Sequence, residues 1–259
     1  MIRPKEINEH AARHRVRDGQ IEKDYILTWV LYGISQVPFL KENLIFKGGT
    51  VLKKVYFDNY RFSEDLDFTL LEDTISNETL LAEFGKVYGF VKEEANITLQ
   101  FMEHNVHRES GGLNFFVNYA GPLGGNLTGK DLKVDITRGE KLEFAPETQT
   151  VKGGYSDLPP EGFGLLCYLL PEVLIEKMVA LMGRLEPRDL YDFWYLTEID
   201  RLDPTEYRME FESKAVHKGH DPKLFPDKIL AKEANLRKAW VNKLAHQMHD
   251  LPKFDDVFR

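Results

Sequence analysis

The chain has 259 residues, 42% hydrophobic and 29% charged, which are the proportions of an ordinary globular protein. A single cysteine, Cys167, excludes an internal disulfide framework and suits a reducing cytoplasm. The formal net charge of −8 argues against non-specific binding of nucleic acid by the whole surface of the protein. The first residues lack the apolar core of a signal peptide, and the longest apolar stretch, 25–34, is too short to span a bilayer. We therefore expect a cytoplasmic protein with no membrane partner.

The first predicted elements alternate between helix and strand. Apolar residues recur at helical spacing from Ile21 to Ile34 and predict a helix with one buried stripe. Further elements are predicted, in chain order, as a strand at 43–46, a helix at 50–57, a strand at 65–71, a helix at 77–95, and strands at 97–102, 113–119 and 131–137. Residues 138–164 show little periodicity.

The character of the chain changes after Pro171. Residues 171–185 and 187–199 each begin with proline, which is well placed in the first turn of a helix, and the polar tail from 204 is also helical in pattern. The sequence thus predicts an α+β domain at 1–165, with a mixed sheet flanked by helices, and a helical domain at 166–259 packed on it. Residues 214–247 carry a local charge of +5 and form either a solvated helical face or a basic surface for a polyanion.

Residues 65–68 read Asp-Leu-Asp-Phe, a pattern that places two carboxylates together. Residues two apart on a strand face the same side, so Asp65 and Asp67 share one face while Leu66 and Phe68 face the core. Adjacent carboxylates repel each other, and a Mg²⁺ or Mn²⁺ ion removes that penalty. Because exposed acid pairs are common on strand edges, the pattern alone leaves both a metal site and a solvated face open.

Gly48, Gly49 and Thr50 lie between the strand at 43–46 and the helix that follows. Glycine lets the backbone approach an anion closely, and a helix N-terminus aims free N–H groups and its positive dipole end at the same point. Thr50 can add a hydroxyl hydrogen bond. The segment is therefore suited to phosphate, although a Gly-Gly helix start is also an ordinary tight turn.

The strand at 131–137 supplies a third carboxylate. Lys133 and Asp135 share one face of it, opposite Leu132, Val134 and Ile136. Beside Asp65 and Asp67, Asp135 would complete a two-metal site, in which one ion holds nucleotide phosphates and the other lowers the pKa of an attacking hydroxyl. Taken alone, this segment is typical of a charged, solvent-facing strand.

The order of these elements resembles that of the DNA polymerase β-like nucleotidyltransferases. More closely, KGGTVLKKVYFDNYRFSEDLDF at 47–68 is similar to the AbiEii/AbiGii toxin family, in which K-G-G-T-x-L is followed by R-F-S-E-D-x-D-F. Residues 21–31, KVD at 133–135 and residues 172–192 extend the resemblance over about 20–200. One departure is that the gap from Gly49 to Asp65 is longer than the general superfamily spacing.

The resemblance implies a Mg²⁺- or Mn²⁺-dependent enzyme that transfers a nucleoside monophosphate from an NTP to an acceptor hydroxyl and releases pyrophosphate. It also implies the toxin of a toxin–antitoxin pair used in phage defence, with a cognate antitoxin. The acceptor favoured by the resemblance is RNA, at a tRNA 3′ end, and a protein hydroxyl is the other candidate. A non-catalytic nucleotide- or partner-binding module and a metal-dependent phosphodiesterase are the rival functions.

The resemblance also assigns roles to residues. Asp65, Asp67 and Asp135 would be metal ligands, with Asp135 the base for the acceptor hydroxyl, and Lys177 would contact a nucleotide phosphate. The predicted nucleotide-binding residues are Gly48, Gly49, Thr50, Arg61, Ser63, Lys133, Asp189 and Asp192.

Five of these residues have structural alternatives. Lys177 lies in an otherwise apolar helix and could instead be a snorkelling side chain. Asp189 and Asp192 could form an internal ion-pair network with Arg188 nearby. Ser63 could cap a turn, and Arg61 could pair with Glu64 or Asp58 rather than clamp a phosphate.

Overall fold

A computed structural model describes residues 1–106, 111–127 and 129–259, with only the backbone described at 103–106. The chain divides into two compact units. The first, here called the sheet unit, comprises Met1–Glu140 and Pro146–Cys167, and the second, the helical unit, comprises Lys141–Ala145 and Tyr168–Arg259. Each predicted feature of chemical interest belongs to one of these two units.

The sheet unit contains a mixed sheet in which, among the described residues, seven strands follow the order β3-β4-β5-β2-β1-β7-β6. The strands are β1 (Leu44–Lys47), β2 (Asp65–Leu70), β3 (Thr98–Val106), β4 (Leu113–Ala120), β5 (Asp131–Thr137), β6 (Glu147–Val151) and β7 (Phe163–Cys167). Strand β2 pairs antiparallel with β1 and parallel with β5. The centre of the sheet thus joins the three segments that were singled out in the sequence.

Two strands, β6 and β7, were missed by the sequence prediction. Four of the five residues of β6 are at least partly exposed, because β6 lies at the sheet edge. An edge strand with the sequence Glu-Thr-Gln-Thr-Val lacks the apolar alternation that marks a half-buried strand. Strand β7 is only five residues long and includes Gly164, so its alternating burial was hard to recognise.

The helices surround the sheet in the first unit and build the second. The sheet unit has α1 (Pro4–His14), α2 (Asp18–Gln36), α3 (Pro38–Asn43), α4 (Gly48–Val51) and α5 (Asn77–Ala95). The helical unit has α6 (Leu170–Gly183), α7 (Pro187–Trp194), α8 (Arg208–His217), α9 (Phe225–Leu230), α10 (Glu233–Leu244) and α11 (Phe254–Val257). Strands in the first part and helices in the second confirm the predicted α+β class.

Local chemistry explains where several helices begin and end. Helix α5 is preceded by the N-cap residue Ser76, whose hydroxyl accepts a hydrogen bond from the Thr79 N–H, and is followed by the C-cap residue Asn96, which has a left-handed φ of 53°. Helix α4 continues directly into a π-helical turn at Leu52–Tyr56. The helical segment therefore covers Gly48–Tyr56 and includes both glycines, so it begins two residues before the predicted 50–57.

The sheet separates an apolar face from a polar face. Leu66 and Phe68 of β2 and Val134 of β5 are at most 1% exposed, whereas Asp65 and Asp67 are partly accessible. Period-2 alternation of this kind is imposed by the pleat, since successive side chains point to opposite sides. The polar face is where the carboxylates gather.

Helices α2 and α5 pack closely at Gly33. A Cβ atom at Gly33 would lie 2.7 Å from Cγ1 of Val87 and 3.2 Å from Cγ2 of Val91. By contrast, a Cβ at Gly85, on the exposed side of α5, would meet nothing within 4 Å. The two positions form a matched pair of helical glycines, one enclosed and one open.

We predict that Gly33→Ala and Gly85→Ala change stability in opposite directions. Overpacking costs about 1–3 kcal/mol and Ala gains about 1 kcal/mol over Gly in a helix, so Gly33→Ala should destabilise by about 1 kcal/mol. Gly85→Ala gains helix propensity without any overpacking and should stabilise the protein by about 0.5–1 kcal/mol. Urea denaturation measures both free energies of unfolding, and equal effects of the two substitutions would contradict the packing described here.

Candidate functional site

Four polar residues lie side by side across the centre of the sheet. Asp67 of β2 is paired in register with Lys47 of β1 on one side and with Asp135 of β5 on the other. Asp135 is in turn paired with Asn114 of β4. Residues paired in this way share a face of the sheet, so one row contains two carboxylates flanked by an ammonium and an amide.

Asp135 is oriented by two neighbours. Nδ2 of Asn114 and Nζ of Lys133 each donate a hydrogen bond to its Oδ2, at 3.1 and 3.2 Å. Lys133 is itself paired in register with Asp65, so the two residues are neighbours on this face. The three predicted metal-ligating carboxylates are thus brought to one face, with Lys133 among them.

The Gly-Gly turn packs directly against Asp67. Gly48 has a φ of +77°, and a Cβ atom there would lie 2.3 Å from Oδ2 of Asp67. A Cβ at Gly49 would lie 2.4 Å from Nη2 of Arg61, with Oγ of Ser63 at 3.5 Å. The absence of side chains at both glycines is therefore what lets a carboxylate and a guanidinium approach the same turn.

Thr50 links this turn to β2. Its hydroxyl donates a hydrogen bond of 2.5 Å to the carbonyl oxygen of Asp65, and the residue is 1% exposed. The side chain therefore positions the Asp-x-Asp strand, and any contact of Thr50 with an anion falls to its backbone N–H.

Arg61 and Ser63 are both buried beside the turn. Arg61 is 1% exposed, and its Nη1 donates a hydrogen bond to the carbonyl of Phe62 at 3.3 Å. Of the two carboxylates considered as partners of Arg61, Asp58 lies 2.6 Å from Nζ of Lys152 and Glu64 lies 3.7 Å from Nζ of Lys23.

Sequence reasoning missed Lys47, Asn114 and Glu140. Nζ of Lys47 lies 3.6 Å from Oε1 of Glu140, and the two side chains are only 6% and 4% exposed. Lys47 could have been found, because it ends an apolar strand and immediately precedes the Gly-Gly pair. Asn114 and Glu140 could not, because their place depends on strand register and on the path of the chain after β5.

The donor set on this face has the chemistry that Mg²⁺ or Mn²⁺ requires. Within the described ranges, no group of three or more His, Cys, Asp or Glu side chains is arranged as a ready metal site. Asp67 and Asp135 are nevertheless paired residues of neighbouring strands, which lie about 4.8 Å apart, and Asp65 is two positions along β2. Hard oxygen ligands at these adjacent positions fit a divalent cation.

The helical unit brings three other predicted residues together. Nζ of Lys177 in α6 lies 3.0 Å from Oδ1 of Asp189 and 2.9 Å from Oδ2 of Asp192, both in α7. All three side chains are at most 5% exposed. Arg184 completes the cluster, because its Nε and Nη2 bind both oxygens of Asp189 at 2.6 and 2.9 Å.

This cluster has a strong electrostatic constraint. Burial by itself would raise the pKa of Asp189, but the Lys177 ammonium and the Arg184 guanidinium together hold that pKa below its ordinary value. The carboxylate is consequently ionised and tightly bound. An internal ion-pair network, one of the two predicted alternatives for Asp189 and Asp192, is present within the helical unit.

The basic segment 214–247 is only partly a surface feature. Lys214 is 1% exposed and forms a short ion pair with Glu172, whose Oε2 also accepts hydrogen bonds from the N–H groups of Glu143 and Phe144. Lys214 therefore belongs to the interior of the helical unit. Other members of the segment remain exposed, namely Lys218, Lys223, Arg237, Lys238 and Lys243.

No helix in the described part of the chain combines the length and the apolar character that crossing a bilayer requires.

We predict that Gly48→Ala is costly because of Asp67. The left-handed φ costs about 1–2 kcal/mol for alanine, and the clash with the carboxylate adds about 1–3 kcal/mol. Gly124→Ala is the control, since Gly124 has a φ of +69° but no atom within 4 Å of its added Cβ. Urea denaturation should give a loss at least 1 kcal/mol larger for Gly48→Ala than for Gly124→Ala, within the range expected for overpacking.

The same clash can be isolated with a double-mutant cycle. In an Asp67→Ala background the obstructing oxygen is gone, so Gly48→Ala should cost less by about 1–2 kcal/mol than in the unmodified protein. Additive free energies in this cycle would show that Asp67 does not pack on the turn.

We also predict that Asp189→Asn destabilises the protein in a pH-dependent way. Removing one carboxylate from the buried cluster should cost about 3 kcal/mol near pH 7. Because the folded pKa of Asp189 is depressed, its contribution is present above the unfolded pKa of about 3.9 and is lost as the pH falls through the folded value. The difference in unfolding free energy between the variant and the unmodified protein should therefore shrink below about pH 4.

The control for this prediction is Asp250→Asn, since Asp250 belongs to the same unit and its side chain is 94% exposed. We expect it to change stability by less than about 0.5 kcal/mol at any pH. A loss for Asp189→Asn that stayed constant from pH 7 to pH 3 would rule out an ionised carboxylate as its cause.

The chain matches a known protein family and resembles solved structures. The family model described as "Nucleotidyl transferase AbiEii toxin, Type IV TA system" matches residues 29–259. No curated protein matches the chain. The chain is similar in structure to JHP933 from Helicobacter pylori, with 16% identity, a TM-score of 0.57 and coverage of 93% of this chain and 88% of that one.

The chain is also similar to MenT4, a nucleotidyltransferase toxin from Mycobacterium tuberculosis. The identity is 20% and the TM-score 0.52, over 78% of this chain and 73% of that one. At such identities the two likenesses concern the fold, and they confirm the predicted one. Since the family model covers nearly the whole chain, this protein belongs to the AbiEii nucleotidyltransferase toxin family of type IV toxin–antitoxin systems.

Proposed function

We propose that this protein transfers a nucleoside monophosphate from an NTP to a hydroxyl group of RNA, in a metal-dependent reaction that releases pyrophosphate. The observation that carries the proposal is the packing of Gly48 against Asp67, which is itself paired with Asp135. A turn suited to phosphate and two adjacent carboxylates are thereby combined at one place. A triphosphate and a carboxylate pair repel each other unless a cation lies between them.

The proposed metal ligands are Asp65, Asp67 and Asp135. A divalent cation bound by these carboxylates offsets the charge of the triphosphate and lowers the pKa of an acceptor hydroxyl. The protein itself then has mainly to position the reactants, because phosphoryl transfer needs little covalent help from side chains.

The remaining residues of the sheet face have supporting roles in this proposal. Backbone N–H groups at Gly48, Gly49 and Thr50 bind the triphosphate, and Arg61 and Ser63 stand against the turn where phosphate oxygens would lie. Lys133 and Asn114 orient Asp135, which accepts the proton of the acceptor hydroxyl. The proposed side-chain roles use contacts that these side chains already make.

The helical unit contributes an ordered cluster rather than an isolated ammonium. The family resemblance assigns Lys177 to a nucleotide phosphate and Asp189 and Asp192 to the nucleotide. In the structure these three bind one another, which supports a role for both carboxylates in fixing the position of the Lys177 ammonium. A contact between Lys177 and phosphate stays a prediction.

The acceptor we propose is the 3′ end of a tRNA. The family resemblance favours it, and the exposed lysines of 214–247, namely Lys218, Lys223, Lys238 and Lys243, give the helical unit a basic surface suited to a polyanion. Membership in a type IV toxin–antitoxin family implies that an antitoxin exists. We propose that this antitoxin is encoded beside the toxin and that the pair acts in phage defence.

We predict that Asp67→Asn abolishes transfer while Asp131→Asn does not. Purified protein is incubated with labelled NTPs, Mg²⁺ and total tRNA, and label on RNA is measured. Loss of a metal-ligating carboxylate should lower the rate by at least ~100-fold, since even outer-shell changes cost about 10–100-fold. Asp131 is the control because it is an exposed carboxylate on β5, the strand that carries Asp135 and pairs with β2. Removal of divalent cations with EDTA should abolish transfer in the unmodified protein as well.

The other outcomes separate the rival functions. Label on protein that depends on Asp67 would indicate a protein acceptor, and cleavage of RNA without NTP would indicate a phosphodiesterase. If Asp67→Asn stayed as toxic in cells as the unmodified protein, the chain would act as a binding module rather than as an enzyme.

A further inference from the structure

The sheet unit contains a cavity of about 200 Å³ that none of the roles above uses. It is formed by α1, α2, the π-helical turn after α4, the segment before β2 and the loop after β6. We call it the basic pocket, since its nitrogen-bearing lining residues are His10, Arg13, His14, Lys53, Lys54 and Lys152.

Apart from the histidines, the pocket has four basic side chains, and two of them, Lys54 and Lys152, are paired with carboxylates. Lys54 is buried and forms an ion pair of 2.5 Å with Asp24, which also accepts a hydrogen bond from the Tyr155 hydroxyl at 2.7 Å. Lys152 forms an ion pair of 2.6 Å with Asp58 at the rim. These two pairs leave no net charge of their own.

The other two basic side chains, Arg13 and Lys53, form no ion pair with a carboxylate of the residues that the structure describes. Nζ of Lys53 donates a hydrogen bond to the carbonyl of Asp58 at 2.8 Å and lies 4.7 Å from the ring centroid of Phe62. The pocket therefore has an excess of two positive charges over its two carboxylates.

Burial and this excess positive charge both affect the pKa of the two histidines. Burial lowers the pKa of His10 and of His14, and the charges of Arg13 beside His10 and of Lys53 beside His14 lower them further. Burial also lowers the pKa of Lys53. An anion bound beside Lys53 would supply a counter-charge to this partly buried ammonium and favour its charged form.

The size of the pocket limits what that anion is. Small-molecule sites are typically about 300–1,000 Å³, so a cavity of about 200 Å³ takes one group of a ligand and leaves the remainder outside. The rings of His14 and Phe62, in an edge-to-face contact at 5.4 Å, provide an aromatic wall at the same place. One phosphate of a longer polyanion, with a base or sugar against this wall, fits both observations.

The pocket lies beside the Gly-Gly turn along the chain. Lys53 follows Gly49 by four residues in one continuous helical segment, which is about 6 Å of helix. Phe62, which lines the pocket, stands between Arg61 and Ser63, whose side chains lie against Gly49. The same two segments thus form the turn on one side and the pocket on the other.

We propose that the basic pocket binds a backbone phosphate of the RNA acceptor, close to the end that reacts. This inference rests on the proposed function, in which RNA is the acceptor, and adds the place where the strand is held. Arg13 and Lys53 supply the charge, and the buried Lys54–Asp24 pair keeps the pocket walls in place.

The test compares two double variants that each remove two positive charges. Arg13→Met/Lys53→Met alters the pocket, whereas Lys5→Met/Lys86→Met alters exposed lysines in α1 and α5 that are 86% and 63% accessible. Binding of fluorescently labelled total tRNA to the full-length protein is measured by anisotropy, without NTP, between about 50 and 200 mM salt.

We expect the pocket variant to bind this tRNA about tenfold more weakly than the control variant, and the slope of log affinity against log salt to fall by about 1. In the transfer assay its KM for RNA should rise while kcat and the KM for NTP stay unchanged. Equal binding by the two variants would overturn the inference, and so would a rise in the KM for NTP alone.

The two proposals fail in different ways. If the unmodified protein labels no RNA but the pocket variant still loses tRNA binding, the proposed reaction is wrong and the phosphate site stands. If RNA is labelled and both variants bind and react alike, the reaction stands and the phosphate site is wrong.

Discussion

Two carboxylates in neighbouring strands repel each other, and the sheet unit maintains this unfavourable pairing at Asp67 and Asp135. The polar face around them is arranged to offset it. Lys47 lies next to Asp67 and Lys133 lies next to Asp135. The side-chain amide of Asn114 donates a hydrogen bond to Asp135. In the proposed function, a cation bound at Asp67 and Asp135 would remove the remaining repulsion.

The position of the Asp67 carboxylate also constrains the Gly-Gly turn. Because a side chain at Gly48 would overlap the Asp67 carboxylate, the turn and the acid can be adjacent only when that position is glycine. Thr50 then fixes the spacing by a hydrogen bond to the backbone of Asp65. The turn and the carboxylate strand are thereby held in fixed contact, which is the arrangement that the proposed positioning of a triphosphate would need.

Each unit contains a buried ion pair that joins two of its helical segments. In the sheet unit Lys54 and Asp24 join the helix after the turn to α2, and in the helical unit Lys177 joins α6 to α7. Such pairs add little net stability, because desolvation opposes the Coulomb attraction, but breaking one is costly. They therefore favour a single arrangement of the surrounding side chains, which suits sites that must keep charges in fixed places.

The sequence by itself determined the features that depend on neighbours along the chain. The shared face of Asp65 and Asp67, the helix after the glycines and the change from strands to helices follow from periods of 2 and 3.6 residues and from turn chemistry. The motif at 47–68 was also sufficient to indicate the family, since its residues are contiguous.

Only the tertiary structure decided the features that join distant segments. The register of β2 against β5 pairs Asp67 with a residue 68 positions later, and no local pattern encodes that distance. The partners of Lys177, the burial of Lys214 by Glu172 and the basic pocket likewise depend on how helices and loops pack. Pairing and packing of this kind are long-range, so the chain had to be folded before these contacts could be identified.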